Sequence, residues 1–227
     1  SVVGADLMKL STIQNELRNR AILTARRGIL ASALSGIDIA MWDLRAQAAG
    51  IPLWKYLNPQ ASGWIKVYAS GGLYESNKDP MALAKELVSY EKRGFRIVKM
   101  KIGGLTLRED IIRILTAREQ LQDHTALIID AVYSYTRDEA LELWTNVSSA
   151  NVIAFQSPVD ATNIEDMHHL CKSGIPVMGI EAEHRMDLLK LILQLDKPPG
   201  YSKEGVDKGI LGGNNGTRRI QIGLALF

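Results

Sequence analysis

The sequence has a single cysteine, Cys171, among 227 residues, which excludes an intrachain disulfide framework and a multi-cysteine zinc site. A reducing, cytoplasmic setting is therefore expected, with Cys171 as helix packing. No window approaches the roughly 18 consecutive apolar residues that a membrane helix needs. The opening stretch SVVGADLMKL lacks a basic segment followed by an apolar run, so neither a spanning nor a targeting segment is expected. An excess of either charge is also missing. Lys and Arg number 27 against 25 Asp and Glu, interspersed along the chain, which excludes the basic face that nucleic acid or an anionic membrane would need. Finally, there is no GxGxxG after the first candidate strand and no P-loop pattern, which removes support for a nucleotide-binding open sheet.

What is present is an ordinary globular composition, 46% hydrophobic and 23% charged, long enough to bury a sizeable core. From about residue 65 to 195, short apolar and β-branched runs alternate with longer segments of helical period, separated by Gly, Pro and Asp. Strands are expected at 65–70, 95–101, 126–131, 152–156 and 176–181. Helices are expected near 80–93, 107–120, 136–147, 163–173 and 185–195. Each helix is long enough to cross over a parallel sheet. Upstream, ASALSGIDIAMWDLRAQAA at 31–49 carries Ile37, Ala40, Met41, Leu44 and Ala48 on one stripe and stops at Gly50. Residues 6–27 read as a further helical layer, and 196–227, rich in Gly, Pro and Asn, as an irregular tail.

The fold class expected is therefore α/β: a partial TIM-type (β/α) barrel of about five βα units, preceded by helices. The domain reading is a helical lead-in at 1–30, the partial barrel at 31–195 and the tail beyond. Periodicity alone leaves an open doubly wound sheet as the alternative.

Alternation along a strand puts Ile97, Lys99 and Lys101 on one face near its C-terminal end. Two amines drained of water and held close depress each other's pKa, which turns an amine into a usable base. Read alone, the pair is equally compatible with surface lysines on an edge strand. Asp130, Gln156 and Glu181 close the next three candidate strands at the equivalent place, where the functional groups of parallel barrels gather. Their oxygens suit a hard cation such as Mg2+. Taken singly, each carboxylate is also compatible with a helix cap.

The segments ALSGIDIAMWDLRAQAAGIPLWKYL at 33–57, VYASGG at 67–72, KMKIGG at 99–104 and IIDA at 128–131 resemble the mandelate racemase and muconate lactonizing enzyme branch of the enolase superfamily. The resemblance covers about residues 30 to 185. It implies that Lys101 abstracts the proton α to a carboxylate with Lys99 as its electrostatic companion, and that Asp130, Gln156 and Glu181 take the positions of the Mg2+ ligands. The activity it implies is a Mg2+-dependent lyase, a dehydratase of sugar acids. A racemase or epimerase of the same superfamily, or a catalytically inactive barrel fragment, is the alternative. His184 is either a substrate-facing proton donor or a polar residue at a helix start. Glu183 would replace Glu181 if the strand slipped by two residues.

Four positions depart from the family's pattern. Gln156, in FQSP, stands where the family carries a Glu ligand, with Ser157 in place of the second acid; Val132 stands where Asn is common; and Ile180 precedes Glu181 where Gly is common. A site with two carboxylates should hold Mg2+ more weakly than one with three. The pattern fades after about Leu195, so a chain covering part of the family's barrel is expected. Its exposed sheet edges make self-association into a homo-oligomer the expected state. Trp42, Trp54 and Trp64 are expected to pack, and His124, His168 and His169 to be solvated.

Overall fold

The computed structural model describes Val3, Gly4, Asp6 and residues 9–20 and 28–178, and the chain divides into two compact units, Ser1–Lys66 and Val67–Phe227. The helix expected at 185–195 and the tail lie outside the described residues.

The first unit holds three helices: α1 (Leu10–Arg20), α2 (Ile29–Ala48) and α3 (Leu53–Leu57). A Gln14 side-chain hydrogen bond to Asp38 ties α1 to α2. Gly50, at φ 68°, turns the chain after α2, a conformation that glycine adopts without the usual steric cost. The turn leads into α3, a five-residue helix that the sequence periodicity did not indicate. Trp42 meets Tyr56 edge-on with ring centroids 6.3 Å apart, and the Arg45 guanidinium lies over both rings. Of the expected α2 stripe, Met41 is buried, while Leu44 is exposed. Trp64 corrects its packing assignment, being 92% exposed.

The second unit is a parallel sheet, β1 (Ala69–Ser70), β2 (Ile97–Lys101), β3 (Ala126–Asp130), β4 (Val152–Gln156) and β5 (Val177–Met178), ordered β1-β2-β3-β4-β5. Four helices connect the strands: α4 (Pro80–Lys92), α5 (Leu107–Gln120), α6 (Arg137–Val147) and α7 (Ile164–Lys172). Spatial order that follows chain order without reversal is barrel topology; a doubly wound sheet reverses at a switch point. Each helix start is encoded locally. Asp79 caps α4 just ahead of Pro80, and Asn163 caps α7. Thr106 with Glu109 and Thr136 with Glu139 close reciprocal capping boxes on α5 and α6. Those bonds hold both glutamates below the usual carboxylate range.

The two faces of the sheet do different work. Val98, Met100, Leu127, Ile129, Phe155 and Val177 pack with Leu83, Leu87, Ile114, Leu143 and Leu170 of the helices in the main core. The opposite face carries a smaller apolar cluster of Ile128, Ala154 and Met178, with Tyr68 and Ile97 against it. A register irregularity between Leu127 and Ile128 skips one residue of β4, so that Ala154 pairs with Ile128 and Gln156 with Asp130. Among the described residues, no helix is long and apolar enough to cross a membrane.

Candidate functional site

On the face of the small cluster, polar side chains replace apolar ones toward the strands' C-terminal ends. Lys101, Asp130 and Gln156 lie in register across β2, β3 and β4, with Lys99 one alternation behind. The parallel ladder fixes this row through Ile102 N–H to Asp130 O at 2.9 Å and Ala131 N–H to Gln156 O at 3.0 Å.

Asp130 is fully buried, and its Oδ2 accepts from both lysines, from Lys101 Nζ at 2.6 Å and from Lys99 Nζ at 3.0 Å. Lys99 Nζ also donates to Gln156 Oε1 at 3.1 Å and stands 5.7 Å from the centroid of the Tyr68 ring. The Lys99 side chain is 8% exposed and that of Lys101 25%, so Lys101 is the lysine nearer solvent. Four of the expected residues, Lys99, Lys101, Asp130 and Gln156, are thus brought together. Glu181, His184 and the alternative Glu183 lie outside the described residues.

The backbone beyond two of these strands is held in the left-handed region. Val132 (φ 49°), Tyr133 (φ 65°) and Ser157 (φ 47°) are unusual there, Val132 most of all because it is β-branched. Val132 N–H donates to Asp130 Oδ1 at 3.2 Å, and Tyr133 N–H to Ser157 O at 2.7 Å, which links the turns after β3 and β4. Ser157 Oγ and Tyr133 Oη are buried and have no hydrogen-bond partner among the described residues.

Behind the site, Asp110 in the first turn of α5 joins three loops. Its carboxylate accepts from Tyr74 Oη in the β1–α4 loop, from Gly103 N–H at 2.8 Å in the β2–α5 loop, and from Tyr135 Oη at 2.8 Å in the β3–α6 loop. Arg113 completes the cluster, its Nε 3.7 Å from Asp110 and its guanidinium 4.2 Å from the Tyr74 ring centroid. Burial, and then the hydrogen bond to the Asp110 carboxylate, push both tyrosine hydroxyls well above the ordinary phenol range. Gly103, at φ 86°, lies so close to Ser134 that a Cβ there would fall 2.7 Å from its side chain.

Asp110 and Tyr68 were not among the residues expected from the sequence to build the site. For Tyr68 a signal existed, since alternation places it with Ser70 on the face opposite Ala69. For Asp110 there was none beyond an acidic residue in a first turn, where the helix dipole would favour it on any exposed helix.

The donor set fits a hard cation. Asp130 and Gln156 offer oxygen alone, from adjacent strands in register, and both oxygens already converge on one cationic centre, the Lys99 ammonium. Among the described residues no group of three or more His, Cys, Asp and Glu side chains is placed to hold a metal.

Comparison with known proteins agrees with this fold. Residues 82–197 match the family model described as enolase C-terminal domain-like. Residues 1–58 match that of the mandelate racemase / muconate lactonizing enzyme N-terminal domain, which extends the likeness upstream of residue 30. The arabinonate dehydratase of Saccharolobus solfataricus is 31% identical over 160 residues, covering 70% of this chain and 43% of the dehydratase. The crystal structure of the 3,6-anhydro-D-galactonate cycloisomerase from Zobellia galactanivorans superposes with a TM-score of 0.78 at 27% identity, over 85% of this chain and 54% of the other. A racemase from Streptomyces coelicolor A3(2), solved with bound magnesium, gives 0.71 at 29% identity, over 80% and 50% of the two chains. The chain spans about half the length of the relatives it matches.

Proposed function

The chain belongs to the mandelate racemase / muconate lactonizing enzyme branch of the enolase superfamily, and from that premise we propose that it acts on a sugar acid, removing the proton α to the carboxylate and eliminating water. The observation that carries the proposal is the position of Lys101. Its Nζ lies at the C-terminal rim of the sheet, in register with Asp130 and 2.6 Å from its Oδ2, and it is more exposed than Lys99.

In this reading Lys101 is the base. To act, it presents its neutral amine to the substrate. The α C–H bond breaks, its proton forms an N–H bond on Nζ, and the electron pair moves into the carbon framework. Asp130, buried and hydrogen-bonded to Nζ, fixes the direction of the amine and balances the charge that Lys101 acquires. Elimination follows when the β-hydroxyl leaves as water with a proton from an acid, the role proposed for His184. The enol that remains tautomerises to a 2-keto-3-deoxy acid. Asp130 and Gln156, with Glu181 proposed as a third donor, would hold Mg2+, and the ion when bound supplies Lewis-acid polarisation of the substrate carboxylate. The substrate class rests on the relatives' names, which include an arabinonate dehydratase and an L-talarate/galactarate dehydratase.

Gln156 favours a second reading, in which the barrel keeps its fold and not its chemistry. The described site sets two ammonium groups against one carboxylate. The deciding experiment incubates the full chain with Mg2+ and a panel of aldonic and aldaric acids in D2O. Exchange at the α carbon and formation of 2-keto acid are followed by NMR. Exchange that disappears in Lys101→Met supports the proposal; no exchange with any acid leaves the second reading standing, and exchange that survives in Lys101→Met removes Lys101 from the role of base.

A further inference from the structure

Lys99 does not sit as a lysine waiting for substrate would. Its ammonium is turned into the protein, donating to Asp130 Oδ2 at 3.0 Å and to Gln156 Oε1 at 3.1 Å with the Tyr68 ring near by, and its side chain is 8% exposed. The two oxygens that it joins are the two described protein donors of the proposed Mg2+ site. We infer that Lys99 is the built-in cation of this site, and that Mg2+ binds by displacing its ammonium from Asp130 and Gln156. Metal occupancy and the position of Lys99 are then one exchange. The inference rests on the metal reading above and adds the competitor to it.

The geometry points to the exchange. Asp130 Oδ2 and Gln156 Oε1 converge on the Lys99 ammonium at 3.0 and 3.1 Å, so an ion bound to both oxygens takes the place that Nζ holds. Among the described residues two ammonium groups share one carboxylate, which also opposes a divalent ion held with both in place. Lys101, which among the described residues bonds to Asp130, already lies toward solvent. Lys99 is the one that joins both donors, and its stem of four carbons can carry the ammonium away without moving β2.

Gln156 sets the balance of the competition. An amide oxygen accepts from an ammonium group, yet lacks the charge that would favour a divalent ion over a monovalent one. The substitution thereby strengthens Lys99 against the metal. Once displaced, Lys99 is free to meet an anionic substrate beside Lys101. Binding of the metal would thus prepare the site for a carboxylate twice, by its own charge and by releasing an ammonium.

The test titrates Mg2+ by calorimetry into the full chain, its Lys99→Met variant, which keeps the length and loses the charge, and an Asp130→Asn control. The inference expects Lys99→Met to bind Mg2+ about tenfold more tightly or better, and Asp130→Asn to abolish the site. In the unmodified sequence, acetylation of the Lys99 amine by an activated ester, read by mass spectrometry, should accelerate several-fold as Mg2+ is added. That measurement stands even if Lys99→Met fails to fold. Saturable binding with Lys99→Met equal to or weaker than the parent, or Lys99 acetylation indifferent to Mg2+, overturns the exchange while leaving the metal site intact. Binding indifferent to Asp130→Asn, or no saturable binding by either the parent or Lys99→Met, overturns both.

Discussion

Tyr135 donates a 2.8 Å hydrogen bond to Asp110, a carboxylate with no solvent exposure inside α5. Tyr74 Oη and Arg113 approach one Asp110 oxygen, and Tyr135 Oη and Gly103 N–H the other. Every partner is a donor. Asp110→Asn, in either orientation of the amide, therefore sets an NH2 group against donors and leaves Arg113 buried without its counter-charge. The expected loss is about 3 kcal/mol, measured as a lower urea midpoint. A change under about 0.5 kcal/mol would show that the three loops are held by their packing rather than by this carboxylate.

The same cluster gives the protein an alkaline weakness. Burial first, and then the bond to Asp110, raise the Tyr74 and Tyr135 pKa values above that of a free phenol. The folded state thus prefers the neutral hydroxyl. Its contribution is complete below the unfolded phenol value, near pH 10, and is lost as pH rises from there toward the raised folded values. Stability measured between neutral pH and about pH 11 should fall more steeply in the parent than in the Tyr74→Phe/Tyr135→Phe double variant. Equal slopes would assign the alkaline loss to other groups.

Val132 lies at φ 49° and is 53% exposed, so its side chain gives little burial in return for the strain. Val132→Asn places a residue that tolerates this region. It should raise stability by about 1 kcal/mol, seen as a higher urea midpoint with an unchanged slope. An unchanged or lower midpoint would mean that Val132 packs more productively than its exposure indicates.

Gln156→Glu adds a carboxylate to the row formed with Asp130. Mg2+ affinity should rise about tenfold or more, equivalent to about 1.4 kcal/mol, in a calorimetric titration. No gain would mean that the added charge is taken up by Lys99 and Lys101 rather than by the metal.

The strand ends were legible because alternation and spacing carry their meaning locally. Lys99 and Lys101 share a face by parity, and Asp130 and Gln156 close runs whose lengths already read as strands. The caps of α5 and α6 were written at fixed offsets, Thr106 to Glu109 and Thr136 to Glu139. Other features depend on what the chain meets far along its length. Asp110 is buried by tyrosines 36 and 25 residues away, which nothing in LREDIIRIL announces. The left-handed turns at Val132 and Ser157 occupy positions whose residue types argue against them. Barrel and open sheet, inseparable by periodicity, were distinguished by strand order alone.

That order has a consequence for how the site comes into being. With β1 to β5 laid side by side in the sequence in which they are synthesised, each strand's preceding neighbour in the sheet has been made before it. The lysines of β2 arrive before Asp130, and Asp130 before Gln156. A nascent chain halted after β3 would contain Lys99, Lys101 and Asp130 but not Gln156, so the order of translation is also the order in which the centre's residues are made.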